Sequence, residues 1–151
     1  LVSISCEVGA LLGGADDEVC KAMSRFGMGV GVGFQIIDDV LNIIGEEKKY
    51  KKEIGGDVRE GKRTLITMWA LQMLPGKKRA RLSCLLRKKS KSDENVAETI
   101  ALLVESGAPE RAMGAARKMV NASMAELEAF PKSEARLMLM RLADYITKRE
   151  R

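Results

Sequence analysis

The segment from Asp16 to Ile44 keeps a helical period over its whole length, so any fold for this chain must accommodate one long helix. Asp16 or Asp17 supplies the oxygen that caps its first amides. Its middle carries Gly27, Gly29, Gly31 and Gly33. Each glycine costs a helix interior about 1 kcal/mol against alanine, so four of them imply close packing against this stretch. The alternation of Val and Gly leaves a second option open, a short strand over residues 30–37. The same letters are not read as a dinucleotide-binding loop, because no strand precedes them and no acid follows at the distance of a βαβ unit.

Helical spacing continues through the rest of the chain, with Ala, Leu, Met, Glu, Lys and Arg dominant and little of the alternation that marks strands. Residues 2–12 read as a helix closed by Gly13 and Gly14. Residues 64–74 read as another, stopped before Pro75, followed by a helix over residues 77–88. Ser92 caps a helix that runs to Gly107. Pro109, at a first helical position, opens a helix to about Ala129, and Pro131 ends the linker before a last helix over residues 133–148. The stripe Met113, Ala116, Met119, Val120, Met124 and Leu127 has core spacing, and the nine methionines serve packing. With no repeat and no linker, the 151 residues make an all-α chain of one domain.

Chemistry concentrates between Phe34 and Leu65. On a helix, Gln35, Asp38 and Asn42 share one stripe and Asp39 lies on its flank. Two adjacent carboxylates beside Phe34, Ile36, Ile37, Val40 and Leu41 do not both ionise cheaply without a cation to neutralise them. Magnesium suits them, since it takes hard oxygen ligands and is held by one or two carboxylates plus substrate phosphates. Beyond the helix come Lys48, Lys49, Lys51 and Lys52, then Gly55-Gly56-Asp57, Arg59 and Gly61-Lys62-Arg63-Thr64. Cations on a glycine-rich loop suit a phosphate chain. Taken singly, an Asp-Asp pair or a lysine run is an ordinary solvated face; their order along the chain favours a metal and phosphate site.

These residues resemble the second aspartate-rich region of the trans-type isoprenyl diphosphate synthases, a GxxFQxxDDxxD helix followed by GKxxGGD and an EGKRTL-like segment. The matching positions are Gly31, Phe34, Gln35, Asp38 and Asp39, then Lys52, Gly55, Gly56 and Asp57, then Glu60 to Leu65. Asn42 stands where the pattern has its third acid, and Lys51 replaces the glycine before Lys52. The resemblance implies the C-terminal half of an antiparallel helix bundle of the isoprenoid synthase type. An upstream segment of about equal length would carry the first aspartate-rich motif, with a Lys-Thr pair just before Leu1. The implied reaction joins an allylic diphosphate to isopentenyl diphosphate, lengthening an all-trans chain in a homodimeric enzyme that uses Mg2+. By the same resemblance Asp38 ligates metal, Asp39 and Asp57 support it directly or through water, and Lys52 and Lys62 clamp the allylic diphosphate. Phe34 and Gln35 border the prenyl chain, with ordinary core packing as the alternative for Phe34, and Asn42 keeps an oxygen ligand at the substrate. The 151 residues alone are expected to be inactive. Rival readings are a non-catalytic synthase-like partner subunit and a plain helical interaction domain.

The remaining composition narrows the setting. The net charge of +5 is spread along the chain and is densest over residues 77–91, where a solvated surface is favoured over a nucleic-acid patch because few aromatics exist for stacking. Cys6, Cys20 and Cys84 lack CxxC spacing, which argues against disulfides and zinc and for a reducing, cytoplasmic compartment. Absence of histidine removes imidazole chemistry. No apolar run is expected to approach the roughly eighteen residues of a membrane span. The closing Lys148 to Arg151 reads as solvated, with a diphosphate contact at a cavity mouth as the alternative.

Overall fold

A computed structural model of the chain describes residues 1–45 and 53–148. Lys48, Lys49, Lys51, Lys52 and residues 149–151 lie outside the described residues. The helices are α1 (Val2–Leu12), α2 (Asp17–Ile44), α3 (Gly56–Glu60), α4 (Leu65–Met73), α5 (Gly76–Leu86), α6 (Asp93–Glu105), α7 (Ala108–Met124) and α8 (Glu134–Thr147), with a 3-10 turn at Ala125–Ala129. No strand occurs among the described residues, so residues 30–37 are helical. Two compact units emerge among the described residues, one of residues 1–35 with 115–148, the other of residues 36–114.

In the first unit the glycines of α2 account for their cost. A Cβ on Gly27 would lie 2.8 Å from the backbone of Ser3 and Val2 in α1, and Gly31 meets the Val2 side chain on the same face. Gly29 and Gly33 point the other way, where a Cβ would come within 2.5 Å of Ser123 and 2.4 Å of Val120 in α7. Two glycine stripes thus let helices close on α2 from two sides. Ser3 fastens α1 by donating to the Ser24 carbonyl at 3.0 Å. Phe26, Val30, Val120, Leu127 and Ala143 form the core beside this contact. At the other end of the helix, Asp16 caps by accepting from the Val19 amide at 2.9 Å.

Along α7 the buried residues are Ala108, Pro109, Ala112, Ala116, Val120 and Ser123, with Leu127 following in the 3-10 turn. Met119 is 39% exposed, which corrects its place in the expected core stripe. Small side chains take the inner face because the glycines of α2 bring the backbones close. The helix gives way to the 3-10 turn after Met124, short of the expected Ala129, and Phe130 is extended ahead of Pro131, as the proline ring requires of the residue before it. Pro109 is the second helical residue, where the missing N–H still costs no helical bond. Ser133 and Ser92 cap α8 and α6, as their sequence positions indicate.

The second unit is organised around α6, which packs on α3, α4 and α5. Ile66, Ala70, Leu82, Leu85 and Leu103 are fully buried there. Arg81 pairs with Glu98 and Lys78 with Glu105, so part of the basic block is neutralised by α6. The 28-residue α2 is long and apolar enough to cross a membrane by length and composition, which corrects the expectation that no run approaches that size. Some 44% of its most apolar window is buried in protein.

Candidate functional site

At its C-terminal end α2 carries Asp39 and Asn42 inward, 8% and 6% exposed, with Asp38 half-buried beside them. Asn42 holds the incoming loop at three points. Its backbone carbonyl accepts from the Gly55 amide at 2.7 Å. Its side-chain Nδ2 donates to the Glu53 carbonyl at 3.2 Å, and its Oδ1 accepts from the Asp57 amide at 3.0 Å. Gly55 turns the chain with φ of +81°, and a Cβ there would meet Val96 and Ile100 at under 3.0 Å, so only glycine fits.

The loop continues into α3, a single five-residue turn of helix closed by Gly61 at φ +77°. That left-handed turn folds Lys62 back, its amide donating to the Asp57 carbonyl at 2.9 Å. The Lys62 ammonium then donates to Asp39 Oδ1 at 2.7 Å and to Asp57 Oδ2 at 3.0 Å. Partial burial opposes its charge, but the hydrogen bonds and charges of Asp39 and Asp57 prevail and hold it above the ordinary lysine range. Arg59 is bound to Asp93 at 2.8 Å and Glu53 at 3.2 Å, which raises its already high pKa and ties down the loop's outer side. Expected as a phosphate cation, Arg59 is instead a brace.

Asp39, Asn42, Asp57 and Lys62 are therefore brought together. Asp39, expected on the flank, is the acid that faces Lys62. Phe34 and Gln35 lie one turn earlier on α2 at the surface, Phe34 being 38% exposed, so core packing does not describe Phe34. Lys52 falls outside the described residues. Thr64, next in the same segment, has a buried hydroxyl without a hydrogen-bond partner, a feature no spacing rule discloses. Lys148 pairs with Asp144 of its own helix at 2.6 Å.

No group of three acidic, histidine or cysteine side chains that could hold a metal exists among the described residues. Two carboxylates that already share one cation still fit magnesium, which needs one or two such ligands when substrate phosphates supply the rest.

All-helical architecture places the chain among the isoprenoid synthases. The geranylgeranyl pyrophosphate synthetase structure of Pyrococcus horikoshii superposes with a TM-score of 0.87 at 36% identity, over 99% of this chain and 45% of that one. The Corynebacterium glutamicum geranylgeranyl pyrophosphate synthase, complexed with isoprenyl diphosphate and magnesium, gives 0.83 at 27% identity over 94% and 41%. More narrowly, the chain belongs to the polyprenyl synthetase family, whose family model matches residues 1–103. The short chain isoprenyl diphosphate synthase of Methanothermobacter thermautotrophicus is 34% identical over 150 residues, 99% of this chain and 46% of its own length. The chain spans about half the length of the curated relatives it matches.

Proposed function

We propose that the chain is the C-terminal part of a trans-prenyltransferase that condenses an allylic diphosphate with isopentenyl diphosphate. The allylic C–O bond breaks, a C–C bond forms to isopentenyl diphosphate, and inorganic diphosphate and a proton leave. The supporting observation is the Lys62 ammonium shared by Asp39 and Asp57, which marks one point where carboxylates from α2 and from the glycine-rich loop meet a cation. Asp38 would ligate Mg2+ there, with Asp39 and Asp57 supporting it directly or through water. When bound, the metal neutralises charge that develops on the departing diphosphate. Lys62 sits beside the same acids and has a third ammonium proton to offer a diphosphate oxygen. Lys52 is assigned a matching contact by its place in the motif. Gln35 and Phe34, exposed one turn away on α2, are proposed to face the prenyl chain. Three free thiols suit a reducing, cytoplasmic setting, and a homodimer is proposed for the complete form.

Calorimetry with a bisphosphonate tests the reading. Binding that requires magnesium supports it, and binding absent with magnesium or unchanged without it refutes it. A turnover assay on the 151-residue chain is expected to show no product, because these residues supply one acidic wall; normal turnover would overturn that part.

A further inference from the structure

Asn42 occupies the third acidic position of the aspartate-rich pattern, yet its polar atoms are already committed. Glu53 presents a carbonyl, which needs a donor, and Asp57 presents an amide, which needs an acceptor. Only a carboxamide meets both at once, and the two partners fix which end is nitrogen and which is oxygen. A carboxylate at this position would keep the Asp57 bond but set an anionic oxygen against the Glu53 carbonyl. The side chain is 6% exposed, so water does not stand in for a lost partner.

We infer that Asn42 is a positioning residue, not a metal ligand: it latches the Glu53–Asp57 loop onto α2 and thereby aims the Asp57 carboxylate at the point it shares with Asp39. The latch stands on geometry alone, and only its consequence for the reaction rests on the function proposed above. The carboxamide grips both sides of the left-handed turn at Gly55, while the Asn42 backbone carbonyl grips its centre. Asp57 begins its side-chain reach from the amide that Asn42 holds, so the loop register and the carboxylate position are set together.

Two measurements on the 151-residue chain test the inference. Amide hydrogen exchange in Asn42→Ala is expected to accelerate about tenfold at Asp57, the effect of losing one buried hydrogen bond, with Ile66 and Leu103 unchanged. Unaltered exchange at Asp57 overturns the latch. The second is Mn2+ affinity by water proton relaxation in a cycle of Asn42→Ala, Asp57→Asn and the double variant. A positioning role predicts that Asn42→Ala weakens Mn2+ in the parent and adds nothing once Asp57 is replaced. Additive losses mean that Asn42 contacts the metal itself and overturn the assignment. A parent chain that binds no Mn2+ counts against the proposed function, whereas the exchange result judges the latch separately.

Discussion

Replacing Gly27 by alanine adds one methyl group to α2 where α1 lies closest. The new carbon would stand 2.8 Å from Ser3 Cα and the Val2 carbonyl oxygen, both backbone atoms, so no side-chain rotation relieves the contact. Reaching an ordinary 3.4 Å separation requires α1 to withdraw by about 0.6 Å. That shift also lengthens the Ser3 to Ser24 hydrogen bond, now 3.0 Å. Overpacking of this kind costs about 1–3 kcal/mol, against which alanine returns about 1 kcal/mol of helix propensity. The expected net loss is about 1 kcal/mol. Gly114→Ala provides the control, for it makes the same chemical change in α7 with no atom within 4 Å, and it should gain about 0.5–1 kcal/mol. Gly31→Ala falls between, since its methyl meets only the Val2 side chain at 3.1 Å. Thermal unfolding followed by circular dichroism reads the series, at about 2–4 °C per kcal/mol for a chain of this size. If Gly27→Ala raises the melting temperature as much as Gly114→Ala does, the close-packing account of the glycine run is wrong.

Lys62→Met should lower stability at neutral pH by about 1 kcal/mol, because two carboxylates lose a shared partner. With the folded pKa of Lys62 raised, this contribution is fully present below the ordinary lysine value of about 10.4 and disappears only as pH climbs through the folded value. Urea titrations of both proteins from pH 7 upward check it, and a difference that vanishes below pH 9 contradicts it. Glu126 is held below the usual carboxylate range by its hydrogen bond from Arg25, so its contribution exists above about pH 4.3 and is lost as pH falls through the depressed value. Glu126→Gln should therefore cost under about 1 kcal/mol at pH 7, a difference that shrinks as pH falls below about 4.3, measured by the same titration. Thr64→Val removes a buried hydroxyl that has no partner and should raise the melting temperature by about 2–4 °C; a fall would show that the hydroxyl is in fact satisfied.

Helix by helix, the chain was legible wherever a repeating pattern or a cap residue spoke for more than one turn. The bounds of α1 and α2 and the Ser92 and Ser133 caps follow from local rules, since a cap is a contact between residues three apart. The glycine run could be read as close packing, but which helices approach it depends on residues about a hundred positions away, Val120 and Ser123. No period spans that distance. The five-residue α3 escaped because one turn is too short to show a period, although the glycines that bracket it were visible.

At the site the limit was of another kind. Helical geometry correctly placed Asp38, Asp39 and Asn42 near one another, but spacing does not say which of two adjacent acids turns inward. That is decided by the loop that returns across the helix, and the loop returns because Gly55 and Gly61 adopt positive φ and because Asn42 satisfies both of its backbone partners. Reading Asn42 as a weakened acid treats a residue by the charge it lacks. Its function follows from what a carboxylate lacks, a donor, and that becomes visible only when the Glu53 carbonyl is found opposite it. The same reasoning separates the two basic residues of the loop: Lys62 faces acids from two segments, whereas Arg59 faces Glu53 and Asp93 on the outer side, so charge alone assigns them one role and position assigns them two.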